Sequence, residues 1–166
     1  MEFKEAVRAC LGRYVQFSGR AIRAEFWWFL LFAVGVFLIT DGIDQAVFGP
    51  YGDGFLLPLA QLALFLPLMA VTWRRLHDMG KPGWVALFPL AFTTVFFSVL
   101  FGGIFAVVAL EKAGVGEDNI RIIAGVLTYA GIAVASLVQA GFGILLLWWL
   151  SRPSEPGANA YGPAAG

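Results

Sequence analysis

The sequence predicts an all-α, polytopic membrane protein: a four-transmembrane-helix bundle preceded by an amphipathic interfacial helix. Three observations predict it. Hydrophobic residues fill 60% of the 166 positions and charged residues only 13%, against roughly 25% charged in a soluble domain. The mean hydropathy of +0.80 leaves too little polar surface for water, so lipid is the expected solvent. Four long apolar runs then divide one domain-sized chain.

Residues 1–17 come first. Phe3, Ala6, Val7, Cys10, Leu11, Tyr14 and Val15 recur at helical spacing with Lys4, Arg8 and Arg13 between them. That pattern predicts an amphipathic helix. Standing before a membrane span, it is expected to lie in the headgroup plane. The start does not read as a cleavable signal peptide, because Thr40, Asp41 and Gly42 follow the first apolar run instead of a small-residue cleavage site.

The spans are expected at about 22–44, 55–73, 84–110 and 122–150. Crossing a hydrocarbon core takes about 20 apolar residues. Inside it every backbone N–H and C=O must be paired within the protein, which makes these runs helices. No roughly ten-residue alternating segments suggest a membrane barrel. The third and fourth runs, 27 and 29 residues long, exceed the core, so tilt or protruding ends must absorb the excess. Pro58 and Pro67 predict a kink or break in the second run. Residues 151–166, rich in Pro, Gly and Ala, read as a turn or tail on the cytoplasmic side.

Basic residues set the orientation. Lys4, Arg8, Arg13, Arg20 and Arg23 precede the first span; Arg74, Arg75 and Lys81 lie between the second and third; Arg152 follows the fourth. The other side holds two, Lys112 and Arg121, against these nine. Both termini are therefore expected in the cytoplasm. Tryptophan prefers the headgroup zone, and Trp27, Trp28, Trp73, Trp84, Trp148 and Trp149 all fall at the same predicted side.

Two segments look like signatures. One is Phe17-Ser18-Gly19-Arg20-Ala21-Ile22-Arg23-Ala24-Glu25-Phe26-Trp27, and the other is Arg74-Arg75-Leu76-His77-Asp78-Met79-Gly80-Lys81-Pro82-Gly83-Trp84. Together they resemble the domain-of-unknown-function 805 family of small bacterial inner-membrane proteins. The tail Pro156-Gly157-Ala158-Asn159-Ala160-Tyr161-Gly162-Pro163 resembles the family's closing motif, with Ala160 where the family usually has an arginine. Pro82 stands where a serine is common. The resemblance implies a bacterial inner-membrane location and no particular activity.

The second signature reads as a tight cytoplasmic loop. Arg74 and Arg75 can snorkel to the interface, but that leaves His77 and Asp78 unexplained. A polar cluster explains more: Arg20 or Arg23 with Asp78, and Arg74 or Arg75 with Glu25, as charge-assisted pairs. Its surplus positive charge would suit an anion or lipid headgroup. Acid–base catalysis by His77 and Asp78 is a weaker reading, because adjacent helical residues point apart and no nucleophile stands at a recognisable spacing. Asp41 and Asp44 share a face if the first helix continues; they are expected at the outer surface, with a cation or proton entry site as the alternative. Gln61 and Gln139 are expected to bond to neighbouring helices, and Gly131 with Ala135 and Ser136 with Ala140 to allow close packing.

The leading functional reading is a non-enzymatic inner-membrane component. Its cytoplasmic face, built on Arg20, Arg23, Glu25, Arg74, Arg75, His77 and Asp78, would bind anionic lipid headgroups or a membrane-protein partner, including a second copy. The alternatives are a small transporter or channel component, and a membrane enzyme using His77 and Asp78. No cofactor or nucleic acid is expected. One histidine and one cysteine, 67 positions apart, are a poor start for a metal site.

Overall fold

A computed structural model describes residues 1–50, 52–112 and 117–164, with side chains at all of these but 110, 111, 117–124 and 127. The expected turn between the third and fourth runs, and the Arg121 side chain, lie outside the described residues. Among the described residues, five α-helices follow in order: α1 Phe3–Gly12, α2 Arg23–Phe48, α3 Leu56–Asp78, α4 Phe88–Lys112 after a 3₁₀ turn at Gly83–Leu87, and α5 Glu117–Ser151. No β-strand occurs among the described residues; Asn159 and Gly162 form an isolated bridge. Among the described residues, four segments are long and apolar enough to cross a membrane: Arg23–Phe48, Leu56–Asp78, Gly83–Ala109 and Thr128–Ser151. Their outward faces are apolar, with Leu62 73%, Phe105 76% and Leu137 74% exposed, as suits hydrocarbon rather than water.

The chain divides into two compact units, Met1–Ala86 with Trp149–Gly166, and Leu87–Trp148. In the first, α2 and α3 pack side by side and α1 lies against both. Helix α1 is shorter than the 1–17 pattern predicts, ending at Gly12. It buries only part of the expected stripe: Ala6 and Cys10 have no exposed surface, while Phe3, Leu11 and Val15 are exposed. Phe3 meets the Trp28 ring edge-on at 5.9 Å, which fixes α1 to the first turns of α2.

Helix α2 runs through Asp41 and Asp44 to Phe48. Asp44 is buried because it does structural work. Its carboxylate accepts the backbone N–H groups of Leu56 at 3.2 Å and Leu57 at 2.8 Å. Those amides open α3, whose own N-cap residue, Phe55, has no side-chain acceptor. Glycine at 54 permits this approach, since a Cβ there would stand 2.5 Å from the Asp44 side chain. Asp41 takes the Gln45 amide at 2.7 Å, one turn along.

Pro58 sits in the first turn of α3, where a missing N–H is tolerated, and Pro67 lies inside the helix. Proline at 67 removes the N–H that would bond the Ala63 carbonyl. The Tyr14 hydroxyl donates to that carbonyl instead. This repair explains how α3 carries an internal proline without a break. It predicts a coupling. Tyr14→Phe should lower stability by about 1 kcal/mol, measured by unfolding in detergent. In a Pro67→Ala background, where the helix regains its own donor, the same change should be close to neutral.

Helix α3 was expected to stop near 73 and to give way to a loop; it continues to Asp78. The reason is local. The N–H of Lys81 bonds to the Leu76 carbonyl at 3.0 Å and that of Gly80 to the His77 carbonyl at 3.1 Å, the paired bonds of a Schellman ending. Gly80, at φ +67°, supplies the left-handed residue. Arg74, Arg75, His77 and Asp78 are therefore held on the last turns of a helix.

In the second unit, Phe92 of α4 and Phe142 of α5 are 5.8 Å apart. Hydroxyls of α4 return to their own helix: Thr93 to the Pro89 carbonyl, Thr94 to that of Leu90 and Ser98 to that of Thr94. A groove of about 320 Å³ is lined by Phe92, Phe96, Ser136 and Gln139. Both glutamines were expected to bond to neighbouring helices; the buried Gln139 Oε1 has no hydrogen-bond partner among the described residues, and Gln61 of α3 is exposed.

Candidate functional site: a buried arginine–carboxylate cluster

The first turn of α2, the loop before it, the last turns of α3 and the tail meet at one end of the first unit. Six of the seven residues singled out from the sequence come together there, and all six are buried: Arg20, Glu25, Arg74, Arg75, His77 and Asp78. The seventh, Arg23, is exposed and reaches the Ser151 carbonyl at 3.5 Å. The Ala21 N–H bonds to the Arg74 carbonyl at 3.1 Å, which pins the loop to α3.

Two ionic groupings result. Arg74 Nη1 donates to Glu25 Oε1 at 2.7 Å, a one-to-one pair. Its Nε and Nη2 are buried with no partner among the described atoms. The Cys10 thiol lies 3.7 Å from the same Glu25 oxygen. Asp78 is shared: Arg20 Nε donates to Oδ1 at 2.9 Å, and Arg75 Nη1 donates to Oδ2. Of the two partners open to each carboxylate from sequence, Arg20 rather than Arg23 takes Asp78. Arg75 stays with Asp78, three residues along its own helix, where the side chains share a face, and leaves Glu25 to Arg74.

Other donors of Arg20 and Arg75 go to the end of α5 and the tail. Arg20 Nη1 bonds to the Gly157 carbonyl at 2.6 Å, and its Nη2 bonds to the Glu155 carbonyl at 2.7 Å. Arg75 donates to the Leu150 carbonyl at 3.1 Å, the Ser154 hydroxyl at 3.3 Å and the Arg152 carbonyl. The His77 ring stacks on Tyr161 at 3.9 Å and 5°. Its Nδ1 lies 3.1 Å from the Gly19 carbonyl, which makes that nitrogen the donor. Asn159 Nδ2 donates to the His77 carbonyl at 2.9 Å and to Glu155 at 2.8 Å. Lys81 stands 4.4 Å over the Trp149 ring.

Cys10, Ser154, Glu155, Asn159 and Tyr161 thus belong to the site, although the chemistry of their sequence neighbourhood did not nominate them. Only the tail's resemblance to a closing motif pointed at the last two of these. Among the described residues no group of three His, Cys, Asp or Glu side chains could hold a metal.

Burial pushes the Cys10 thiol up to about 12, and the Glu25 carboxylate adds to the rise. The thiolate is the reactive form, so the folded chain should resist iodoacetamide at neutral pH and react once denatured. Equal rates in the two states would contradict this environment. Above the thiol's ordinary value of 9.0 the unfolded chain releases a proton that the folded chain keeps, so stability should fall as the pH rises further.

Residues 14–163 match the family described as "Protein of unknown function (DUF805)". The chain belongs to the DUF805 family. This DUF805 chain is 39% identical over 80 residues to "Inner membrane protein YhaH" of Escherichia coli (strain K12), covering 46% of the chain and 65% of YhaH. It is 44% identical over 86 residues to "Inner membrane protein YhaI" of the same organism, covering 49% of the chain and 69% of YhaI. The chain therefore spans about two thirds of the length of the curated relatives it matches. No solved structure matches it. With four helices able to cross a membrane, this DUF805 member is an integral inner-membrane protein.

Proposed function

We propose that this DUF805 protein is a non-enzymatic membrane component. Both termini are in the cytoplasm, and its arginine cluster holds an anionic lipid headgroup at the cytoplasmic surface. The charge count of the cluster carries this reading. In the ion pairs among the described residues, Arg20, Arg74 and Arg75 share two carboxylates, Glu25 and Asp78, so the paired groups carry one more positive charge than negative at the end of two membrane-spanning helices. Around it Lys4, Arg8, Arg13 and Arg23 are exposed, and basic clusters beside a span attract anionic lipid at about 1 kcal/mol per residue. The orientation rests on the nine basic residues at this end against two at the other. A structural rather than catalytic use of His77 and Asp78 fits their engagement. Both Asp78 oxygens are taken by arginines, and the His77 ring is stacked and hydrogen-bonded.

Retention of phosphatidylglycerol through purification tests the proposal. Arg20→Gln should lower it several-fold while Cys10 stays protected from alkylation, which reports that the variant is folded. Unchanged lipid content in that folded variant would count decisively against headgroup binding. For orientation, alkaline phosphatase fused at Gly49 should be active and at Gly80 inactive; the reverse pattern would invert the proposed threading.

A further inference from the structure

The surplus positive charge can be located, because Arg74 and Glu25 balance one another. The excess sits where Arg20 and Arg75 share the single Asp78 carboxylate. The tail lies on that spot. It brings four acceptors to the two guanidiniums: the carbonyls of Arg152, Glu155 and Gly157 and the Ser154 hydroxyl. All four are neutral, so they fill the donors' geometry without cancelling the charge.

We infer that the C-terminal tail is a displaceable cover: a phosphate-bearing lipid headgroup takes the donors of Arg20 and Arg75 that the tail now occupies. The inference rests on the headgroup reading above and adds its regulation. A phosphate offers several oxygens in the fork geometry that guanidinium prefers, together with the countercharge that these four acceptors lack, the one tail carboxylate, Glu155, being bonded to the Asn159 amide instead. The site stands at the end of a membrane-spanning helix, next to Trp73, so lipid is the phosphate source within reach.

The tail is built to let go. Residues 152, 153 and 155–158 are exposed, and the segment contributes little apolar burial. Apart from the arginine bonds, it is held by the Tyr161 stack on His77, the Asn159 amide on the His77 carbonyl, and the Glu155 N–H on the Asp78 carbonyl at 2.9 Å. These close one small patch, and none of them involves the charge of Arg20 or Arg75. Release of the tail therefore leaves the Arg20–Asp78–Arg75 grouping in place with its outward donors open.

A nitroxide on Ala160→Cys reads the tail directly, because Cys10 is buried and does not label. In phosphatidylcholine nanodiscs the label should be immobile, and in phosphatidylglycerol nanodiscs it should become mobile. Tyr161→Ala with Asn159→Ala loosens the tail without touching an arginine and should raise retained phosphatidylglycerol several-fold. Adding Arg20→Gln to that variant should abolish the gain. An immobile label in phosphatidylglycerol, with no gain in the loosened variant, would overturn the cover. If Arg20→Gln alone still lowers lipid retention, the headgroup reading survives that loss; if it does not, both fall. Mobilisation by inorganic phosphate in phosphatidylcholine would overturn lipid as the source.

Discussion

Asp78→Asn is expected to cost about 3–5 kcal/mol of stability, the penalty for stranding a buried charge. Asp78 has no exposed surface, and each of its oxygens answers a different arginine. The amide keeps the shape but turns one acceptor into a donor that faces a guanidinium. Two positive charges then share a buried site without a counterion. Unfolding in mixed detergent measures the loss, with Arg23→Gln as the comparison. Arg23 is exposed and its hydrogen bond to the Ser151 carbonyl is 3.5 Å long, so that change should fall within about 1 kcal/mol. Equal effects from the two substitutions would contradict the burial of the Asp78 grouping.

Glu25→Gln should be nearly as damaging and should act on a different part of the molecule. Arg74 is 1% exposed, and Glu25 is its ionic partner. Removing the carboxylate strands the guanidinium, again at about 3–5 kcal/mol. Because Glu25 also holds the Cys10 thiol up, the variant should be alkylated faster than the parent. A second change tells stranded charge from lost packing. Glu25→Gln combined with Arg74→Gln removes both charges at similar volume and should recover most of the stability. Failure to recover would place the cost in packing. The two effects should also differ in reach: Glu25→Gln disturbs α1, whereas Asp78→Asn frees the tail.

The membrane helices were legible because hydrocarbon imposes one strong rule, long apolar runs with internal backbone pairing. Their ends were less so. The expected stop of the second span near 73 misread Arg74 and Arg75 as the start of a loop, when the ending signal is Met79–Gly80, five residues later. The pairing of opposite charges was legible as a set, since Arg20, Arg74, Glu25 and Asp78 sit in two compact motifs. The choice between Arg74 and Arg75 for Glu25 depends on which face of α3 each occupies, and helical phase near a span's end is not written in composition. The tail was hardest. What orders it is the acceptance of arginine protons by its backbone carbonyls, and every residue type carries a carbonyl. Asp44 is similar: it caps a helix twelve residues away through backbone amides that any sequence would present. Pro67 does announce an orphaned carbonyl at Ala63, but nothing local names Tyr14 as the donor that fills it.

The arginine cluster depends on the tail being docked against the end of α3 by contacts that include the His77–Tyr161 stack. The chain has one histidine, so selectively labelled imidazole gives two assignable ring-proton signals in the full-length protein in nanodiscs. Stacked at 3.9 Å under the tyrosine ring, both should be shifted upfield by its ring current, and Tyr161→Leu should move them back downfield. Signals that start at unshifted positions and do not respond to Tyr161→Leu would mean the tail is not seated there, and the arginine cluster would lose the partner assigned to it.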